Sequence, residues 1–118
     1  MTQLNIQRIG TNQRMSKIVI HNGTAYLCGQ VGKPEDGIEA QVREALSRID
    51  QLLESCGTSK ENLLQVIVWL KNMEDFDAMN QIWENWLPEG HAPARACGTA
   101  ELANPNLLVE FTCIAAVG

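Results

Sequence analysis

The stretch from residue 36 to residue 70 constrains this chain more than any other. Ile38, Val42, Ala45, Leu46, Ile49, Leu52, Leu53 and Cys56 recur at steps of three and four, which gathers them on one helix face. Asp36 and Glu39 have capping-box spacing, and Gly57 stands where helices commonly end in the left-handed conformation. Beyond a turn that Thr58 and Glu61 can cap, the pattern changes. Residues 64–70 form a β-branched, almost continuously apolar run, as expected of a strand buried on both sides. A one-faced helix beside such a strand calls for a layered structure of helices on a sheet.

The flanking segments extend that picture. Asn22-Gly23 separates two apolar runs, 17–21 and 24–28, and favours a type I′ turn because both central residues need positive φ. A first strand is expected over residues 4–9, with Leu4, Ile6 and Arg8 on one face, before the polar break at 11–14. Residues 29–37 read as loop. Asn72 and Asp75 can cap a second helix whose apolar side carries Met73, Phe76, Met79, Ile82, Trp83, Trp86 and Leu87; Pro88 and Gly90 end it. Strands at 94–102 and 107–117 follow. The expected order is β-β-β-α-β-α-β-β, one α+β domain over residues 1–118, with two helices on one face of a mixed sheet.

Composition narrows the function. At 118 residues, 45% hydrophobic and 19% charged, the chain can bury roughly two-thirds of its unfolded surface and needs no metal or disulfide to fold. Cys28, Cys56, Cys97 and Cys113 form no CxxC pair and no Cys/His set spaced for zinc. Nine Lys and Arg against fourteen Asp and Glu give a net charge of -5, with the basic residues scattered rather than striped, so nucleic acid is not the expected partner. Neither a signal-peptide pattern nor an apolar run of membrane-spanning length is present in the sequence. A reducing, cytoplasmic compartment and no membrane are the expectation.

The last two strands bear the chemistry. If Leu102 pairs with Leu107 in a hairpin, Arg95 lies opposite Ile114, Cys97 opposite Thr112, and Thr99 opposite Glu110, all on one face. The other face then carries Ala94, Ala96 and Gly98 beside Val109, Phe111, Cys113 and Ala115, small and apolar enough to meet helices. A face mixing Arg95, Glu101 and Glu110 with Leu108, Ile114 and Ala116 suits an oligomer interface that holds polar pockets. An ordinary wet sheet face is the alternative. In this register Arg95 and Glu110 stand about 13 Å apart along the strand. A ligand must bridge them, or a neighbouring subunit must supply one.

Pro93-Ala-Arg-Ala-Cys97, Val109-Glu-Phe-Thr-Cys-Ile-Ala115, Cys28-Gly-Gln30 and Asp75-Phe-Asp-Ala-Met-Asn80 together resemble the RidA/YjgF/UK114 family, whose members are also called endoribonuclease L-PSP or translation initiation inhibitors. The Met-Asn, Trp and Gly-His-Ala-Pro region is similar to the YoaB-like branch. The resemblance implies a chorismate-mutase-like fold assembled as a homotrimer, with clefts between subunits. It also implies hydrolysis of reactive 2-imino acids or their enamines, such as 2-iminopropanoate and 2-iminobutanoate, to 2-oxo acids and ammonia. PLP-dependent dehydratases release such intermediates.

By the same resemblance Arg95 clamps the substrate carboxylate, a task for which the planar guanidinium fork is suited. Glu110 holds or activates the attacking water. Gly29 and Cys97 line the cleft, and Asn80 supports it. No metal or organic cofactor is implied, because an imine carbon is already electrophilic. Each role has a plainer alternative. Arg95 could pair with an interface carboxylate, Glu110 could be structural, Asn80 could be helix surface, and Cys97 could be a small wall residue without a base to activate it. His21 and His91 read as turn or loop residues. The chain departs from the family at Met15, which stands where enzymatic members usually have tyrosine, at Thr112 in place of a second glutamate, and in a shorter loop before Pro93. A non-catalytic binder of small carboxylates is therefore the competing function. A ribonuclease ranks lower, given the acidic charge and the absence of a catalytic His pair.

Overall fold

Asn22 and Gly23 both adopt positive φ, 52° and 74°, and so close the tight turn between β2 (Ile18–His21) and β3 (Thr24–Leu27). In this computed structural model, which describes residues 4–118, β1 (Gln7–Ile9) pairs antiparallel with β2. The first strand is thus shorter than expected, with residues 4–6 outside it. Next come α1 (Ile38–Ser55), β4 (Leu63–Leu70), α2 (Phe76–Trp86), β5 (Ala94–Thr99) and β6 (Val109–Ala116). The element order is the expected one.

Helix α1 begins differently from its sequence signature. Gly37 is the N-cap, and no side chain caps it. Buried Gln41 instead ties the helix start to distant chain: its amide donates to the carbonyls of Asp36 (2.9 Å) and Asn106 (3.0 Å), and its oxygen accepts from the Leu108 N–H (2.8 Å). The end is as predicted. Gly57, at φ 79°, donates to the Glu54 carbonyl while Thr58 donates to that of Leu53, a Schellman closure.

The sheet has the order β1-β2-β3-β6-β4-β5. Only β4 and β5 run parallel, joined through α2. This corrects the expected terminal hairpin: β5 and β6 are not neighbours, because β4 lies between them and bonds to both. The physical reason is the helix. A strand–helix–strand connection lets β5 return parallel to β4, and the long β4 run has a second free edge for β6.

That insertion also changes which residues share a face. Val66 lies beside Arg95 on one edge and Cys113 on the other; Trp69 lies between Gly98 and Glu110. Arg95, Cys97 and Thr99 therefore share the face of Val66, Val68, Leu70, Val109, Phe111, Cys113 and Ala115. Glu110, Thr112 and Ile114 share the opposite face with Ala94, Ala96 and Gly98. The helix-facing assignment of β6 agrees with the sequence pattern, whereas that of β5 is reversed.

The core fills the helix-facing side. Ile18, Val42, Ile49, Leu53, Val66, Leu70, Met79 and Phe111 are fully buried there. No helix among the described residues lies on the other face. Leu64 and Trp69 remain 49% and 36% exposed, so β4 is covered on one side of the protomer and not on both. Among the described residues, no helix is long and apolar enough to cross a membrane.

Candidate active site

Arg95 extends from β5 toward α2, where four residues of one helix face receive it. Phe76, Met79, Asn80 and Trp83 are spaced i, i+3, i+4 and i+7. The guanidinium Nη1 donates to Asn80 Oδ1 at 2.7 Å. Its carbon sits 5.4 Å from the Trp83 ring centroid and 5.8 Å from that of Phe76, within cation–π range. Trp83 is itself braced by Phe111, whose ring lies parallel to it within 2° at 6.0 Å. The guanidinium is oriented by neutral groups. Among the described residues it forms no ion pair; the one present joins Arg48 and Glu44.

Cys97 stands two residues beyond Arg95 on the same side of β5. Burial pushes its thiol pKa up and the Arg95 charge offsets this only in part, so the sulfur is a neutral thiol near pH 7. A small wall fits that state and a nucleophile does not.

Glu110 belongs to a second cluster. Its carboxylate packs directly over Gly29: a Cβ at that glycine would lie 2.8 Å from Glu110 Cδ and closer still to an oxygen. Backbone bonds between Gln30 and Phe111, 2.8 and 2.9 Å long, hold the Cys28–Gln30 segment against β6. Among the described residues the carboxylate has neither a hydrogen-bond donor nor a cation, leaving its oxygens available to water.

Met15 lies in a third place. The β1–β2 connection turns at Asn12, whose Oδ1 accepts from the backbone of Arg14 and Met15. Met15, 45% exposed, borders a cleft of about 510 Å³ together with Lys17, Cys28, Gln30 and Arg48. The fold thus gathers Arg95, Asn80 and Cys97 at the β5 edge, and Glu110 with Gly29 beside β6. By strand spacing and register, Arg95 and Glu110 are separated by about 14 Å in the plane of the sheet and point to opposite faces.

The sequence profile of the family described as endoribonuclease L-PSP matches residues 5–117. The chain belongs to that family. Within it, a RutC family protein from Haemophilus ducreyi is 41% identical over 113 residues, covering 95% of this chain and 97% of its own. The RutC family protein YoaB of Escherichia coli K12 is 38% identical over 114 residues, 97% of this chain and 100% of its own. Among solved structures, one from Pseudomonas aeruginosa superposes with a TM-score of 0.93 at 39% identity, covering 97% of this chain and 100% of that one. A YjgF family member from Neisseria meningitidis gives 0.91 at 36% identity, over 98% and 97% respectively. The α+β fold expected from the resemblance, a mixed sheet with two helices on one face, is the one this L-PSP family member adopts and shares with these structures.

Two groups around the site were not singled out by sequence reasoning. Phe76 and Trp83 read as core residues, yet their rings hold the guanidinium; the signal was their helical spacing from Asn80. Lys17 and Arg48 read as scattered surface charges, and no local pattern links residues so far apart in the chain.

Proposed function

We propose that the protein hydrolyses 2-imino acids or their enamine tautomers to 2-oxo acids and ammonia, at clefts formed between subunits of a homotrimer. One observation carries this reading: Arg95 is held by Asn80 and two aromatic rings but by no carboxylate, which leaves a fixed cation for an anionic ligand. A small substrate cannot span about 14 Å and two sheet faces, so Arg95 and Glu110 act together only when they come from different copies. The uncovered sheet face, with Ile67, Trp69 and Ile114, supplies the apolar surface on which copies pack.

In the reaction, Arg95 binds the substrate carboxylate and orients the C=N bond. Glu110 takes a proton from a water molecule as its oxygen bonds to the imine carbon, and the π electron pair moves to nitrogen. Glu110 passes that proton to the nitrogen. It then takes the hydroxyl proton and delivers it to the same nitrogen as the C=O forms and the C–N bond breaks, so ammonia leaves and the carboxylate is restored. A positioned acid/base of this kind contributes about 10²–10⁴ in rate. The four unpaired cysteines fit a reducing, cytoplasmic setting.

The test couples an amino-acid oxidase, which generates the imino acid, to semicarbazide, which traps it. Wild type lowers semicarbazone formation and Arg95→Ala restores it; equal trapping with and without wild type across substrates overturns the enzymatic reading. Met15 favours a second reading, a carboxylate-binding trimer without turnover, because its thioether offers the cleft no hydroxyl. Saturable binding of 2-oxobutanoate, lost in Arg95→Ala and unaccompanied by catalysis, is the outcome that reading expects.

A further inference from the structure

The cleft beside Met15 is cationic in an acidic protein. Lys17 and Arg48 line it with Asn12, Gln30 and Gln51, and no carboxylate does; the chain as a whole carries a net charge of -5. The two cations differ in their commitments. Arg48 donates Nη1 to the Val31 carbonyl at 2.8 Å and Nε to Glu44 at 3.0 Å, so its charge is balanced and its position set. The Lys17 ammonium forms no ion pair or hydrogen bond among the described residues. Its stem is nonetheless placed. Gly10, at φ +65°, lies so close that a Cβ there would come within 2.9 Å of both Lys17 Cγ and Cδ. The stem rests on that glycine, and part of the entropy of holding the side chain is lost before any ligand arrives.

The cleft also adjoins the chemistry. Cys28 and Gln30 line it, and the Glu110 carboxylate packs on Gly29 between them. Resting on the imine-hydrolysis reading, in which Met15 borders the substrate, we propose that this cleft receives the substrate's side chain and that Lys17 selects an anionic one. The preferred substrates are then 2-imino dicarboxylic acids, with Arg95 on the C1 carboxylate and Lys17 on the distal one. The small apolar side chains of 2-iminopropanoate and 2-iminobutanoate leave the ammonium without a partner.

Binding of stable 2-oxo acids tests this apart from turnover. Calorimetric titration compares 2-oxoglutarate with 2-oxobutanoate on wild type, Lys17→Met, which keeps an apolar stem over Gly10, and Lys17→Glu. A charge-assisted contact at a partly exposed site predicts wild-type preference for the dicarboxylate of about tenfold. Lys17→Met is expected to erase that ratio and Lys17→Glu to reverse it. Failure of 2-oxoglutarate to bind more tightly than 2-oxobutanoate overturns the proposal, as does a ratio unchanged in Lys17→Met. Trapping assays with 2-iminopropanoate on the same samples report on imine hydrolysis separately, so loss of one conclusion does not disguise loss of the other.

Discussion

The two faces of the sheet are made by the same strands and have opposite fates. On one, Val66, Val68, Leu70, Val109, Phe111 and Ala115 are completely buried beneath α1 and α2. On the other, Ile67, Trp69, Glu110, Thr112 and Ile114 alternate with them and retain access to solvent. The covered face stabilises the protomer. The open one carries the water-activating candidate amid apolar residues, an arrangement suited to a surface completed by another copy. Alternation separates the two tasks at single-residue resolution, so a change at one position can affect folding while its neighbour affects assembly or chemistry.

Substitutions on each side can break that division, and the largest effect is expected on the covered face. Phe111→Ala removes the ring that stacks on Trp83 and should cost about 3–5 kcal/mol in urea unfolding; a loss below 1 kcal/mol would contradict its place in the core. Its neighbour Glu110→Gln is expected to leave the unfolding midpoint nearly unchanged while lowering kcat/KM about a hundredfold, or about 2.7 kcal/mol of barrier. Full activity in that variant would remove Glu110 from the mechanism.

Cys113 sharpens the comparison through pH. Burial pushes its thiol up to about 12 from an ordinary value of 9.0. The native state therefore keeps the proton that the unfolded chain loses. Stability from this group is complete below pH 9 and is lost as pH rises toward 12, by about 1.4 kcal/mol per pH unit. Unfolding free energies between those limits should fall more steeply with pH in wild type than in Cys113→Ala, by up to that slope. The smallest effect on protomer stability belongs to Trp69→Glu, at about 1 kcal/mol or less on an exposed position. Its main consequence is expected in light scattering: if the proposed homotrimer packs on this face, a trimeric mass falls to a monomeric one. An unchanged mass would place the subunit contacts elsewhere.

Much of this architecture is legible in local sequence. The Asn22-Gly23 turn follows from a two-residue dihedral requirement, and the length of α1 from its apolar period and the glycine at 57. The alternation of β6 correctly places Phe111 and Cys113 against helices. The start of α1 was less legible. Asp36 and Glu39 have the spacing of a cap, but Gln41 makes the contacts there, with groups near residues 106–108 that no local pattern connects to it.

The site divides in the same way. The residues Arg95, Asn80, Glu110 and Gly29 were all recognisable from motifs, and the structure pairs Arg95 with Asn80 and Glu110 with Gly29. What motifs could not supply was the face of β5. A strand's side-chain period states which residues lie together, but not which neighbour the strand will find or which side that neighbour turns inward. Sequence alone therefore determined the elements, their order and the chemical identity of the candidate residues, because those depend on spacing within a few residues. Only the tertiary structure placed β4 between β5 and β6 and sent Arg95 and Glu110 to opposite faces, because strand pairing depends on hydrogen bonds between segments distant in the chain and on the helix that joins them.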